Sequence, residues 1–204
     1  CVSRFDTNGD GEVSYKESAK VQSISEDIFG TAANSITSFD EFQYFINVTS
    51  IADCLFKGCS NLKSVTLPKS ITSIGREAFY GCSALEDLAI SVGVTSIGEY
   101  ALYGCSKIGT IAIPAGVTAI GNSLLYGCGA LRSITIPEGV ATIGNSAFSG
   151  CASLYTITIP EGVTSIGKQV FRDCTSLRTV YLPSTLSQIG ERAFSGCGSL
   201  ISVN

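Results

Sequence analysis

The 204-residue sequence contains no histidine, no tryptophan and no methionine. The absence of histidine removes the usual general base, the usual partner of a catalytic nucleophile and the commonest zinc ligand. Positive charge is scarce as well, because 13 lysines and arginines face 17 acidic residues, for a net charge of −4. Nucleic acid is therefore not expected as a partner, since phosphates are bound by clustered Lys and Arg. No apolar run reaches the roughly 18 residues that a transmembrane helix needs.

Cysteine, in contrast, is abundant and regularly spaced. Seven of the nine cysteines stand 23 residues apart, and only Cys1 and Cys54 lie outside this series. The series is Cys59, Cys82, Cys105, Cys128, Cys151, Cys174 and Cys197. A fixed period of roughly 20 to 50 residues is typical of repeat proteins, in which each repeat packs on its neighbours. The spacing therefore predicts a solenoid.

The other positions of the repeat follow the same period. The shared pattern is C-x-x-L-x-x-I-x-I-P-x-G-V-x-x-I-G-x-x-A-F-x-G, with six copies from Cys59 to Gly196 and a partial copy from Cys197. The L-x-x-I-x-I part predicts a short strand, which proline ends because it has no N–H. V-x-x-I-G predicts a second extended segment, and A-F-x-G predicts a single helical or 3₁₀ turn. The predicted main strands are 39–44, 65–67, 88–90, 111–113, 134–136, 157–159 and 180–182.

Residues 36–58 keep the pattern in a degenerate form. A shift of 23 residues places Phe39, Phe42 and Tyr44 at the strand positions of the next repeat. Terminal repeats are expected to be atypical, because they have only one neighbour. We therefore divide the chain into a leading segment, 1–33, and a repeat domain, 34–204. The repeat domain comprises the degenerate repeat 36–58, six repeats over 59–196 and a partial repeat 197–204.

The run P-x-x-V-T-x-I-G-x-x-A-F-x-G-C-x-x-L resembles the signature of the BspA-like leucine-rich-repeat family of bacterial surface proteins, which is common in gut Bacteroidetes. The resemblance covers residues 36–204 with six tandem matches. It implies an α/β repeat solenoid, namely a right-handed, curved leucine-rich-repeat solenoid with short parallel strands. It also implies a secreted or cell-surface location, and some members of the family adhere to host matrix proteins or to other bacteria.

The leading segment carries a calcium-binding pattern. Residues 6–17 fit D-x-N-x-D-G-x₅-E without a gap, and Gly11 stands where the loop turns sharply. Calcium prefers hard oxygen ligands in this arrangement. The predicted ligands are Asp6, Asn8, Asp10, Glu12 through its backbone carbonyl, Ser14 and Glu17. We predict a structural Ca²⁺ site that resembles half of a dockerin or EF-hand, followed by a short helix over 17–24. An acidic loop that binds no metal is the alternative.

The column of cysteines admits three interpretations. Zinc sites use closely spaced pairs of ligands, which a 23-residue spacing does not supply. Disulfides between neighbouring repeats are geometrically possible. We favour free, buried thiols, because equivalent inward positions suit a small apolar side chain. Cys1 lies outside the column, and an acylated lipoprotein cysteine is an alternative interpretation of that residue.

Side chains that project from the predicted strands form columns with the same spacing. Most are Thr, Ser or Ala, but Arg132, Tyr155, Arg178 and Tyr181 interrupt this surface within three adjacent repeats. Arg and Tyr are enriched at binding hot spots, so we predict these four as ligand-binding residues. Both this patch and a second one have a plain alternative as ordinary β-sheet surface. The second patch is the turn column Tyr80, Tyr103 and Tyr126.

These observations favour a binding or adhesion module over an enzyme. Catalytic residues break a repeat, whereas the serines here occupy equivalent positions and the carboxylates outside the metal loop are scattered. The expected partner is a host matrix protein, a bacterial surface protein or a glycan. The alternative is a structural spacer of a larger surface protein with no ligand of its own. The partial last repeat has no polar cap, so we expect further domains in the full-length chain.

Overall fold

The computed structural model describes residues 14–25 and 28–204. It begins with a one-turn helix, α1 (Tyr15–Ser18), and has 3₁₀ segments at Gly30–Ser35 and Asp40–Tyr44. The other regular elements in these residues are strands of two or three residues. They are β1 (Ser38–Phe39), β2 (Ser50–Ile51), β3 (Ser64–Val65), β4 (Ser73–Ile74), β5 (Ser96–Ile97), β6 (Thr110–Ala112), β7 (Ala119–Ile120), β8 (Ser133–Thr135), β9 (Thr142–Ile143), β10 (Thr156–Thr158), β11 (Ser165–Ile166), β12 (Thr179–Tyr181), β13 (Gln188–Ile189) and β14 (Ser202–Val203).

Every strand pair in the described residues is parallel, and the strands form two ladders. The first ladder consists of β1, β3, β6, β8, β10, β12 and β14, and the second of β2, β4, β5, β7, β9, β11 and β13. Ile157 pairs with Val180 in the first ladder, and Ile143 pairs with Ile166 in the second, each across 23 residues. The predicted solenoid is confirmed, and so is the second extended segment. We call each 23-residue turn that starts at a column cysteine a rung.

The A-F-x-G turn adds a third set of hydrogen bonds between rungs. Tyr80 N donates to Glu77 O at 3.0 Å within its own turn, and Phe79 N donates to Ala101 O of the next rung at 2.8 Å. Glu77 has a φ of 55°, and non-glycine residues at the same position of the other rungs are also in the left-handed region. The predicted single turn is confirmed. It is held as much by the neighbouring rung as by its own bonds.

The consensus apolar residues fill one continuous core. Leu62, Leu85 and Leu131, which occupy the same position of three rungs, are fully buried. Phe148 and Phe171 stack with ring centroids 5.5 Å apart. Because each side chain packs on its equivalent in the next rung, burial depends on stacking and not on any single repeat.

The first strand has a register that differs from the prediction. Phe39 pairs with Val65, an offset of 26 residues, whereas Ile51 pairs with Ile74 at the regular offset of 23. The three extra residues are absorbed by the 3₁₀ segment Asp40–Tyr44, so the predicted strand 39–44 is wrong beyond Phe39. Phe42 is nevertheless buried, while Tyr44 is exposed.

Other strand boundaries also differ, by one residue in most rungs. The observed strands end before the last predicted residue, which directly precedes proline in rungs such as 105–127 and 128–150. The predicted strand 88–90 is wrong, because residues of rung 82–104 make no first-ladder strand pair. This rung has Asp87 where its neighbours have Ser64 and Thr110, and aspartate is unfavourable in strands.

Both ladders are interrupted between rungs 82–104 and 105–127, and we call this interface the joint. The first ladder is also unpaired between β8 and β10, where the second ladder is continuous. Thr95 N donates to Thr72 O at 2.9 Å, and Ala141 N donates to Thr118 O at 3.0 Å, but Thr118 N has no such bond to the preceding rung. Strand β5 is likewise unpaired with β7. The turn bonds persist across the joint, with Leu102 N donating to Leu124 O at 3.0 Å.

The N-terminal helix is shorter and earlier than the predicted helix over 17–24. It spans Tyr15–Ser18, and the chain continues as a turn in which Val21 N donates to Ser18 O at 3.1 Å. Ile24 is buried in the solenoid core, as expected of its apolar side. No helix among residues 14–25 and 28–204 is long and apolar enough to cross a membrane.

Candidate ligand-binding face

Three of the four predicted ligand-binding residues lie side by side on neighbouring rungs. Arg178 N donates to Tyr155 O at 2.9 Å, and Tyr155 N approaches Arg132 O at 3.5 Å. These residues immediately precede the strands β8, β10 and β12. Strands β10 and β12 pair in parallel, and β8 lies next to β10 without pairing with it, so adjacent rungs are about 4.8 Å apart. The structure therefore brings Arg132, Tyr155 and Arg178 into one column.

The Arg178 side chain packs on the Tyr155 ring. Its guanidinium carbon lies 5.3 Å from the ring centroid, and Tyr155 is 54% exposed. Such a contact is favourable by about 0.5–1 kcal/mol at an exposed site. Neither Arg132 nor Arg178 forms an ion pair with a residue that the structure describes. Two guanidinium groups without a carboxylate partner thus flank one exposed tyrosine.

Tyr181 lies at the other end of β12. It pairs with Thr158, and it is three residues beyond Arg178, or about 10 Å along an extended chain. Its ring is 48% exposed and takes no part in the ring–ring or cation–ring contacts of the described residues. Tyr181 is therefore exposed at the far end of β12, separate from the Arg132–Tyr155–Arg178 column. We call these four residues and the strand surface between them the ladder face.

Hydroxyl groups fill the centre of the ladder face. Residues of β8 and β10 line a shallow cavity of about 320 Å³ that includes Ser133, Thr135 and Thr158. Beyond the strands, the Glu161 carboxylate accepts hydrogen bonds from Ser184 N and Ser184 Oγ, each at 3.0 Å. These bonds hold the pKa of Glu161 below its ordinary value. The face thus has a cationic end, a hydroxyl-rich middle and an anionic end.

The alternative patch, the turn column, is a closed stack of rings. Tyr80 and Tyr103 lie 4.6 Å apart between centroids, and Tyr103 and Tyr126 lie 4.5 Å apart, with nearly parallel planes. Lys57 Nζ covers the outer side of Tyr80 at 5.4 Å from its centroid. Burial raises the pKa of the Tyr103 phenol. Because most ring faces are occupied by neighbouring rings, this arrangement favours a structural role over ligand binding.

The cysteine column consists of free thiols, as predicted. Six of the seven are buried and Cys197 is partly buried, without any disulfide among the described cysteines. Each thiol after the first donates to a backbone carbonyl 26 residues earlier, as Cys82 Sγ does to Phe56 O at 3.0 Å. Burial raises the pKa of Cys59 to about 11 and of Cys174 to about 12. Thiols in this state are poor nucleophiles and poor metal ligands.

Two of the predicted calcium ligands lie at the start of α1 and are in contact. Ser14 Oγ donates to Glu17 Oε2 at 2.7 Å, and Ser14 N donates to the same oxygen at 2.9 Å. Together with the bond from Glu17 N to Ser14 Oγ, this forms a capping box. The other predicted ligands lie outside the described residues. They are Asp6, Asn8, Asp10 and Glu12.

The repeats match a known protein family. A family model described as "BspA type Leucine rich repeat region" matches residues 22–155 and 142–204, in 6 copies. The chain belongs to the BspA-type leucine-rich-repeat family. No curated protein matches the chain.

Solved structures agree with the family. A leucine-rich repeat protein from Bacteroides ovatus is 32% identical with a TM-score of 0.69, over 79% of this chain and 45% of that one. A leucine-rich repeat protein from T. pallidum is 31% identical with the same TM-score of 0.69, over 75% of this chain and 72% of that one. The pneumococcal vaccine antigen PcpA, 19% identical with a TM-score of 0.52, shares the fold over 81% of this chain and 49% of its own. This BspA-type chain thus spans less than half the length of the B. ovatus protein.

One surface feature of this BspA-type solenoid was not predicted. A largely apolar depression of about 640 Å³ lies between β3 and residues 87–92, beside the unpaired stretch of rung 82–104. Val92, which lines it, is 94% exposed. The sequence did contain a signal for it, because this rung has Ser91 where every other full rung has proline. We assign no ligand to this depression.

Proposed function

We propose that this chain is a ligand-binding module of a cell-surface or secreted protein and that it contacts a protein or glycan through the ladder face. The observation that carries this proposal is the pair of guanidinium groups on either side of exposed Tyr155, neither of which has an ion partner in residues 14–25 and 28–204. Such a patch offers hydrogen-bond donors and an apolar ring together, as binding hot spots do. It contains no nucleophile or general base, so it fits binding without turnover.

The family supports the module and the location. BspA-type repeats resemble those of bacterial surface proteins, and a solenoid surface of stacked, equivalent positions suits extended partners. The chain covers 45% of the B. ovatus relative, so the activity of any larger protein of this type is part of the proposal and not of the comparison.

The proposal is tested on an array of matrix proteins and glycans. The double variant Tyr155→Ala with Arg178→Ala should weaken binding to any positive probe at least about tenfold, or roughly 1.4 kcal/mol. The melting temperature should fall by no more than about 4 °C, because the two exposed side chains lose only their contact with each other. The matched control is Tyr44→Ala with Lys20→Ala, which removes an exposed tyrosine and a cation elsewhere. Binding that survives the first variant but is lost when Tyr80, Tyr103 and Tyr126 are replaced would assign the site to the turn column. An array without any positive probe supports the spacer function.

We also propose that residues 6–17 bind a structural calcium ion. Support comes from the ligand pattern of the sequence and from Ser14 and Glu17, whose side-chain oxygens meet at 2.7 Å. Carboxylate, amide and hydroxyl oxygens are the donor set that calcium prefers. When bound, the ion would hold the leading segment against the repeat domain.

Calcium binding predicts a shift in thermal stability. A ligand that binds only the folded chain stabilises it, so the melting temperature should be higher in calcium than in chelator. Asp6→Ala and Asp10→Ala should abolish this difference without changing the value in chelator. Glu17→Ala should lower both values, because it also removes the capping box. Equal melting temperatures of the wild type in calcium and in chelator would refute the site.

A further inference from the structure

We propose that the ligand of the ladder face is an acidic polysaccharide, with a carboxylate or sulfate held between Arg132 and Arg178 and a sugar ring on Tyr181. This inference rests on the proposed function and specifies its ligand class. The juxtaposition that carries it is a pair of exposed arginines at one end of a hydroxyl-lined surface and the exposed Tyr181 ring at the other. Because the Glu161 carboxylate lies beyond the strands, the acidic group of the ligand is assigned to the arginine end.

The arginine pair is suited to bind an anion. Arg178 is held over Tyr155, at 5.3 Å, so its planar group is already oriented. A guanidinium binds carboxylates and sulfates through parallel N–H donors, and ordering it beforehand lowers the entropic cost of binding. Arg132 is two rungs from Arg178, about 10 Å away. No carboxylate of the described residues is within ion-pair distance of either arginine.

The net charge of the whole chain opposes the binding of a polyanion. The net charge is −4, so a polyanion is repelled by the molecule as a whole. Any affinity for a polyanion must therefore come from a specific cationic surface. Five of the other ten cations in the described residues are in ion pairs, as Lys168 is with Glu191 at 3.1 Å and Lys107 is with Glu86 at 3.7 Å.

The remainder of the face suits sugar rings. Tyr181 presents an uncovered ring, which can pack on the apolar face of a pyranose. Thr156 and Thr158 point outward from the neighbouring strand β10, where Thr158 pairs with Tyr181. Their hydroxyls can both donate and accept, which matches the hydroxyl groups of a saccharide. The separation of about 10 Å along the strand is one that two linked sugar rings bridge.

An acidic peptide is the competing ligand, and the strand pairing disfavours it. Extended peptides usually bind sheets by pairing main-chain groups with a free edge strand. Strand β12 is paired on both sides, with β10 and with β14. Strand β12, which lies between Arg178 and Tyr181, therefore offers side chains but no free edge, so a peptide bound there would lose its main source of affinity.

The experiment measures binding of four polymers to immobilised wild-type chain by surface plasmon resonance at low salt. The probes are hyaluronan, which carries only carboxylates, chondroitin sulfate, which adds sulfates, neutral dextran, and poly-L-glutamate. We expect binding of one or both acidic polysaccharides, with weakening as salt is raised, and much weaker binding of dextran and poly-L-glutamate. The two acidic probes distinguish carboxylate from sulfate recognition.

Variants locate the interaction. Arg132→Gln with Arg178→Gln should weaken acidic polysaccharide binding at least about tenfold. Lys20→Gln with Arg192→Gln makes the same change in net charge away from the face and should have little effect. Tyr181→Ala should weaken both acidic and residual dextran binding severalfold, since it removes the ring platform.

The outcomes separate this inference from the proposed function. Equal or tighter binding of poly-L-glutamate or dextran, still lost in the double arginine variant, would overturn the polysaccharide class and leave the ladder face as the site. Polysaccharide binding that is unchanged in the double arginine variant would overturn both. Absence of binding to every probe would overturn the inference, while a positive matrix protein on the array would keep the proposed function.

Discussion

At the scale of single residues, the close approach of neighbouring rungs explains why a glycine ends the V-x-x-I-G segment. Gly167 has no positive φ, yet an added Cβ would lie 2.5 Å from both Asn145 N and Gly144 C of the preceding rung. The backbones approach there because Asn145 Oδ1 accepts a hydrogen bond from Lys168 N at 2.8 Å. A side chain at Gly167 would therefore force neighbouring rungs apart.

This predicts a clear stability difference between glycines. Gly167→Ala should destabilise the chain by about 1–3 kcal/mol, the usual cost of overpacking, measured by urea unfolding. Gly198→Ala is the matched control, because a Cβ there meets no atom within 4 Å, and it should have little effect. Gly121→Ala should fall between the two, since its nearest contact is 3.3 Å. Equal effects of all three substitutions would contradict the close-approach explanation.

At the scale of elements, the joint is the interface at which both ladders stop pairing. Residues Thr118 and Gly121 lack the inter-rung bonds that Ala141 and Gly144 make at 3.0 Å and 2.8 Å. The wider gap at Gly121 agrees with this, because a Cβ there meets Glu99 Cα only at 3.3 Å. The rungs remain attached through the turn, where Gly104 N donates to Tyr126 O at 2.7 Å.

Amide hydrogen exchange should reveal the joint. Amides that lack an inter-rung acceptor exchange through smaller openings, so Thr118 and Gly121 should exchange at least about tenfold faster than Ala141 and Gly144. The turn amides of Leu102 and Gly104, which cross the joint in hydrogen bonds, should stay protected. Equal protection at the two pairs of positions would mean that the ladders are continuous in solution.

The sequence predicted the repeat but not the joint. The period, the inward apolar column and the second ladder follow from positions that every rung shares, so a pattern of identical residues was sufficient. The joint and the unpaired stretch near Asp87 arise in one rung that departs from the pattern. The positions that all rungs share do not indicate at which interface the hydrogen bonds between strands are lost. The register of Phe39 was missed for a similar reason, since a 3₁₀ segment absorbs three residues without changing the buried aromatics.

The candidate site was also predicted only in part from the sequence. The column position of Arg132, Tyr155 and Arg178 was predictable, because residues 23 apart stack in a solenoid. The stacking of Arg178 on Tyr155 and the closed packing of the tyrosine column depend on rotamers, which spacing does not determine. The calcium ligands at 6–12 remain a prediction from the sequence pattern.

At the scale of the whole molecule, the joint divides the solenoid into two blocks, and the blocks differ in how completely their strands are paired. On the C-terminal side, β7, β9, β11 and β13 form a continuous four-stranded ladder, and the first ladder is unpaired only between β8 and β10. On the N-terminal side, rung 82–104 makes no first-ladder pair. Because each rung contacts only its neighbours, stability in a solenoid is close to a sum of rung and interface contributions. The N-terminal block should therefore open first.

The cysteines of the column can be used to measure which of the two blocks unfolds first. Native thiols should resist modification, because they are buried and their pKa values are raised. Pulse labelling with a thiol reagent across a urea series, mapped by mass spectrometry, should modify Cys59 and Cys82 at lower urea than Cys128, Cys151 and Cys174. The control is the fully denatured chain without reductant, in which all of these thiols should react. A single common midpoint would show that the turn bonds alone couple the two blocks into one cooperative unit. The reverse order would show that core packing around Phe56 and Phe79 outweighs the missing strand pairs.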